Sequence, residues 1–167
     1  AKALAGRLSG GPALIAVAGS AVFGSISGSP VANVVATGAF TIPLMKKVGY
    51  KPEFAGAVEA AASTGGTFLP PVMGAAAFVL ATVTETPYSR VMLMAVLPAL
   101  LYFLSIGLMV YFRARRRHLS GLSREELPKA GEVLRKGWYY LFTIAVVLGL
   151  IVAGFSPPMA AFGASVF

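Results

Sequence analysis

The polar residues able to do chemistry in this chain sit in short clusters inside long apolar stretches. One cluster is Gly24-Ser25-Ile26-Ser27-Gly28-Ser29-Pro30, with Asn33 just after it; another is Ser63-Thr64-Gly65-Gly66-Thr67, followed by Phe68-Leu69-Pro70-Pro71. The hydroxyls of Ser25, Ser27, Ser29, Ser63, Thr64 and Thr67 and the amide oxygen of Asn33 are neutral oxygen ligands. Carbonyls left unpaired where helices stop, near Gly24-Ser25 and Ser63-Thr64-Gly65, add to them. Neutral oxygens without a paired carboxylate suit Na⁺ better than Ca²⁺ or Mg²⁺. The same clusters also open helices: Ser29-Pro30 reads as an N-cap with proline at the first helical position, and Pro70-Pro71 as a second helix start. Free N–H groups at those two starts suit an anion, which makes Ser29, Pro30, Pro70 and Pro71 candidate substrate-binding residues.

Each of these features also has a plainer reading. Gly/Ser/Ala-rich stretches pack membrane helices closely, the second cluster could be a kink, and Asn33 could hydrogen-bond between helices. Glu59 is a possible intramembrane acid, either functional or the structural partner of a buried donor. Enzyme chemistry finds little support. Ser25-Ile26-Ser27-Gly28 resembles the serine loop of intramembrane serine proteases but lacks its leading glycine. The sole histidine, His118, sits in an arginine cluster, and Lys46 and Lys47 stand at the far end of the apolar segment. There are no cysteines, so disulfides and thiolate metal sites are excluded, and no cofactor is expected beyond Na⁺ as coupling ion.

The elements that must position these residues belong to a bilayer. Hydrophobic residues make up 57% of the 167 residues and charged ones 12%, far below a soluble domain's share; mean hydropathy is +0.79. Apolar legs over Pro12 to Phe23 and Val31 to Met45 flank the Gly24–Pro30 break. Each reaches only about 21 Å against a hydrocarbon core of about 30 Å, so residues 1–46 read as a re-entrant hairpin. Residues 53–86, too long for one upright span and interrupted at Thr64–Pro71, read as a discontinuous transmembrane helix. Residues 88–112 follow as a transmembrane helix, and 113–137 as a cytoplasmic linker with a short amphipathic helix. A second transmembrane helix over 138–156 opens on the aromatic belt Trp138-Tyr139-Tyr140, and 157–167 starts another element. The chain begins without Met and ends in an apolar run, and it is expected to be an internal piece of a longer protein.

The formal charge of +8 comes in clusters that punctuate the spans: Lys46, Lys47 and Lys51, then Arg113, Arg115, Arg116 and Arg117. A nucleic-acid groove would spread such residues over a polar face, so no nucleic-acid partner is expected. Clusters between apolar spans follow the positive-inside rule and meet anionic lipid, and the topology above puts them all on one side of the membrane.

The stretch Gly24 to Asn33, followed by Ile42-Pro43-Leu44-Met45-Lys46-Lys47-Val48-Gly49-Tyr50-Lys51-Pro52-Glu53-Phe54-Ala55, resembles the large membrane subunit of the TRAP (tripartite ATP-independent periplasmic) transporters. Glu59-Ala60-Ala61-Ala62-Ser63-Thr64-Gly65-Gly66, with Pro70-Pro71-Val72-Met73-Gly74, resembles its fused-permease, DctM-like variety. Many relatives carry serine where this chain has Pro30. The resemblance implies an all-α integral membrane fold, half of an inverted-repeat, elevator-type ion transporter of the bacterial inner membrane. It implies Na⁺-driven import of organic anions such as dicarboxylates, delivered by a periplasmic substrate-binding protein, with a small membrane subunit or its fused equivalent as partner. Transferred by position, Ser25, Ser27, Gly28, Ser29 and Asn33 line the hairpin tip, and Ser63, Thr64, Gly65, Gly66 and Thr67 form the facing loop. An uncoupled anion channel or pore subunit built from the same re-entrant elements is the alternative, and a purely structural scaffold a third.

Overall fold

The computed structural model describes residues 10–119, 142, 145–151, 153–155, 159 and 163. The expected linker beyond Leu119, its short helix, the start and parts of the 138–156 span, and the start of the hairpin lie outside the described residues. Everything described is helix, turn or irregular chain, with no strand among the described residues.

Between residues 10 and 119, five helices follow one another: α1 (Gly11–Ser27), α2 (Pro30–Lys47), α3 (Pro52–Gly65), α4 (Ala75–Val83) and α5 (Tyr88–Arg116); residues 145–151 are helical as well. Local chemistry sets their ends. Pro30 and Pro52 stand at first helical positions, where a missing N–H costs nothing. Ser29 caps α2 by accepting from the Ala32 N–H at 3.3 Å, and Lys46 and Lys47 lie in the last turn, where the helix dipole favours cations. Glu53 sits in the first turn of α3, with the opposite logic. α1 ends on Gly28 in the left-handed region (φ 60°), whose N–H bonds to the Gly24 carbonyl at 2.8 Å.

Small residues bring the first three helices together. α1 buries Ala13, Ala16, Val17, Ser20 and Gly24, and α3 buries Ala55, Val58, Glu59, Ala62 and Ser63, each set at helical spacing. With mostly small residues on these faces, α1, α2 and α3 pack mutually, and α5 lies against α1 and α3 through Ile106, Val110 and Ala114. A tie between α5 and α3 runs from the Tyr102 hydroxyl to the Ala61 carbonyl at 2.9 Å. A smaller core gathers Met73, Ala77, Met92 and Ile151.

α5 alone among the described helices is long and apolar enough to cross a membrane, by length and composition. Its 29 residues extend about 43 Å, and it continues through Arg113 to Arg116, past the expected end of the span at 112. Buried Ala114 holds that last turn to the core, and its arginines suit the negative end of the dipole. Leu93, Leu97, Leu100, Leu101 and Leu104 are more than half exposed along α5, as are Val31, Val35 and Phe40 on α2. The Arg113 guanidinium lies 4.8 Å over the Phe54 ring, and Tyr50 stacks on that ring from the turn between α2 and α3. The basic end of α5 therefore meets the lysine-bearing turn.

Candidate functional site

Both expected breaks exist, but their extents differ from the sequence reading. The first is two residues, Gly28 and Ser29, because α1 stays helical through Gly24-Ser25-Ile26-Ser27. Composition marked those residues as helix breakers, yet Gly24 serves close packing instead. A Cβ on it would fall 2.6 Å from the Gly66 Cα and 2.9 Å from the Asn33 amide nitrogen. The second break spans residues 66–74, so Pro70-Pro71 does not open the second half-helix; α4 begins at Ala75 behind Gly74. The loop stays open because its backbone groups are satisfied elsewhere. Val72 N–H donates to the Ser25 carbonyl at 3.0 Å, Gly74 N–H to Thr67 O at 2.7 Å, and the Tyr88 hydroxyl reaches the Pro71 carbonyl at 3.1 Å and that of Val72. The Pro70–Pro71 peptide bond is cis.

The two breaks meet. Gly24 and Gly66 cross backbone against backbone, and Gly28 lies so close to Met73 that a Cβ there would stand 1.9 Å from its carbonyl oxygen. The Val72-to-Ser25 bond joins the loop to the end of α1. The candidate ion ligands from the two clusters therefore share one neighbourhood. Asn33 is fully buried, and its amide nitrogen donates to the Ser20 carbonyl at 2.8 Å, the inter-helix bond that its plainer reading anticipated. Ser25, Thr64 and Thr67 turn their hydroxyl hydrogens back onto nearby carbonyls, Val22 O at 2.8 Å, Ala60 O at 2.8 Å and Thr64 O at 2.9 Å. Their oxygen lone pairs remain able to bind a cation. The Ser27 hydroxyl accepts from Ser29 N–H at 3.4 Å, and Ser29 caps α2 beside Pro30. Gly65 takes no part in the tip contact. It backs onto α5, where a Cβ would lie 2.6 Å from the Phe103 ring.

Glu59 is wholly buried one turn before Ser63. Its Oε1 accepts from Ser20 Oγ at 3.0 Å, from Ser63 Oγ at 3.3 Å and from Thr37 Oγ1; its Oε2 accepts from Thr41 Oγ1. Ser20, Thr37 and Thr41 were not among the residues picked out from sequence. The signal was there: Asn33, Thr37 and Thr41 recur every fourth residue, a polar stripe along an otherwise apolar helix. Among the described residues no group of three or more His, Cys, Asp or Glu gathers as metal ligands.

At the turn between α2 and α3, burial pushes the Tyr50 hydroxyl up from its ordinary 10.0 to about 12. That hydroxyl finds no hydrogen-bond partner among the described residues.

Comparison with known proteins bears on the whole chain. The family model described as the DctM component of the tripartite ATP-independent periplasmic transporters matches residues 1–167. The C4-dicarboxylate TRAP transporter large permease protein of Pseudomonas aeruginosa is 33% identical over 168 aligned positions, covering 100% of this chain and 39% of the relative. The sialic acid TRAP transporter large permease protein of Vibrio cholerae is 27% identical, over 100% of this chain and 39% of its own length. The isethionate TRAP transporter permease protein DctMQ of Oleidesulfovibrio alaskensis is 30% identical, over 97% and 25% respectively. The chain thus spans well under half the length of the curated relatives it matches. Those relatives are permease components and not enzymes. With its full length matched, its helices built on small residues and its apolar faces turned outward, this chain belongs to the DctM family of integral membrane permease components of tripartite ATP-independent periplasmic transporters.

Proposed function

We propose that this segment carries one half of the ion and substrate site of a Na⁺-coupled importer of organic anions in the bacterial inner membrane. α1 and α2 form a re-entrant hairpin, and α3 and α4 form a discontinuous transmembrane helix; the two move together in an elevator-type transport domain. The observation that carries this reading is the meeting of the two breaks at Gly28 and Met73, where α1 crosses the 66–74 loop at Gly24 and Gly66 and the Val72-to-Ser25 bond joins them. Non-helical backbone inside a bilayer persists only where protein or an aqueous cavity satisfies it, and paired breaks are how secondary transporters assemble sites. α1 and α2, at 17 and 18 residues, reach about 26 and 27 Å, short of a hydrocarbon core of about 30 Å. The meeting of Arg113 with the lysine-bearing turn supports placing both on the cytoplasmic side.

Na⁺ is held in this reading by oxygens of Ser25, Ser27, Gly28, Ser29 and Asn33 from the hairpin and of Ser63, Thr64, Gly66 and Thr67 from the loop. The start of α2 at Ser29-Pro30 offers N–H groups to a carboxylate. Relatives are named for a C4-dicarboxylate, sialic acid and isethionate, which are organic anions, and for ectoine, a zwitterion; the acidic group that all four carry supports a cargo bound through such a group. A periplasmic binding protein would deliver it, and a small membrane subunit, separate or fused as the printed name DctMQ suggests, would complete the permease. Ion binding would order the hairpin tip and so raise substrate affinity, a reciprocal coupling.

The test is uptake of a labelled dicarboxylate by the whole permease in proteoliposomes, with its binding protein, under an inward Na⁺ gradient. Accumulation above equilibrium that collapses without the gradient is expected, and Asn33→Ala and Ser27→Ala should raise the Na⁺ concentration for half-maximal uptake. Gradient-independent equilibration would mean an uncoupled pore. Wild-type Na⁺ dependence in both variants would place the ion elsewhere.

A further inference from the structure

A fully buried carboxyl group inside an apolar helix bundle needs hydrogen-bond donors, and Glu59 takes them from all three helices that build the crossing. We infer that Glu59 is a positioning residue for the ion oxygens, acting through Thr37 and Ser63 without touching the ion itself. The inference rests on the Na⁺ reading above and assigns this acid a place in it.

The geometry is directional. Oε1 faces the crossing: it gathers Ser20 of α1, Thr37 of α2 and Ser63 of α3 on a single oxygen. One candidate ion ligand, Ser63, is thereby one bond away, and a second, Asn33, two. Ser63 donates to Oε1 at 3.3 Å, and Thr37 Oγ1 stands 2.8 Å from the Asn33 carbonyl and 3.2 Å from its amide oxygen. Thr37 has one hydroxyl hydrogen and several acceptors within reach. With that hydrogen on Glu59, the Thr37 hydroxyl ties α2 to α3 one turn from Asn33 and so fixes where the Asn33 amide oxygen stands at the crossing. Ser20 anchors the other end of the same amide through its carbonyl, at 2.8 Å. Oε2 faces the other way, onto Thr41, two helical turns from Asn33, whose hydroxyl also lies 3.0 Å from the Thr37 carbonyl. Room for the acid comes from Gly38, where a Cβ would lie 3.3 Å from the Glu59 Cγ.

Glutamine can reproduce this pattern. Its amide oxygen would take the three-hydroxyl side, and its amide nitrogen would donate to Thr41, whose own hydrogen then goes to the Thr37 carbonyl. Methionine has similar length and no acceptor of comparable strength.

The experiment measures the Na⁺ concentration for half-maximal uptake separately from the maximal rate, on the whole permease in proteoliposomes, normalised to folded protein. Glu59→Met is expected to raise the half-maximal concentration about three- to tenfold, the worth of one or two hydrogen bonds, while the rate at saturating Na⁺ is retained. Glu59→Gln should stay near wild type. Thr37→Val, on the Oε1 side, should shift in the same direction as Glu59→Met, whereas Thr41→Val, on the Oε2 side, should not shift. If Glu59→Met fails to fold, the Thr37/Thr41 pair decides. An unchanged Na⁺ requirement in Thr37→Val, or an equal shift in Thr41→Val, overturns the inference while leaving coupled transport standing. A wild-type permease indifferent to Na⁺ overturns both.

Discussion

Gly19 and Gly24 occupy the same helix, five residues apart, and alanine should have opposite effects at the two. At Gly19 a Cβ meets nothing within 4 Å, so Gly19→Ala gains the helix preference of alanine, about 1 kcal/mol, and little else. At Gly24 the same methyl would stand 2.6 Å from the Gly66 Cα, roughly 1 Å inside ordinary carbon–carbon contact. The obstacle is backbone, so no side chain can rotate away. Relieving it separates α1 from the 66–74 loop by about 1 Å, which stretches the 3.0 Å bond from Val72 N–H to the Ser25 carbonyl beyond useful length. Overpacking costs about 1–3 kcal/mol and the lost bond about 1 kcal/mol. Against the helix gain of about 1 kcal/mol, Gly24→Ala should destabilise by about 1–3 kcal/mol net. The assay is thermal unfolding of the detergent-solubilised permease, with and without Na⁺. Gly24→Ala should melt earlier than wild type and gain less from Na⁺, because the spread oxygens hold the ion less well. Gly19→Ala should match or exceed wild type in both. Equal behaviour of the two variants would refute the view that backbone contact at the crossing sets the site.

Further outcomes follow from single side chains. Tyr50→Phe removes a buried hydroxyl that has no partner among the described residues, so it should leave stability unchanged or raise it by up to about 1–3 kcal/mol in thermal unfolding. The same residue gives a pH dependence. Below pH 10 Tyr50 is neutral in folded and unfolded chains alike, while between about 10 and 12 only the folded chain keeps the proton. Stability should therefore fall as pH rises through that window, and Tyr50→Phe should flatten the fall; an identical slope in both proteins contradicts the burial of this hydroxyl. Tyr88→Phe deletes the donor to the Pro71 and Val72 carbonyls and should cost about 1 kcal/mol in the same unfolding assay, with faster proteolysis within residues 66–74.

Sequence pattern revealed the two glycine- and proline-rich interruptions because such residues act on the backbone directly, whatever surrounds them. It could not tell whether a given glycine breaks a helix or lets one pass another. Gly24 does the second, and only the approach of Gly66, 42 positions later in the chain, shows it. Pro70-Pro71 misled for a related reason. Proline is permitted at a helix start but does not require one, and here the partners of Val72 and Gly74 postponed α4 to Ala75. Glu59 stood out as an acid in an apolar run. Of its donors, Thr37 and Thr41 were legible only as a stripe with Asn33 along α2, and Ser20 gains meaning only when three helices are laid side by side.

The joint between Gly24 and Gly66 has a further consequence for how such a protein can vary. Most packed interfaces can be retuned by exchanging one side chain for a slightly larger or smaller one. Here main chain already touches main chain, so no smaller residue exists and any larger one pushes the helices apart. The spacing of the two breaks is thus not adjustable in small steps by substitution at the crossing itself. Variation that altered affinity or cargo while preserving the fold would have to accumulate in the surrounding shell of side chains.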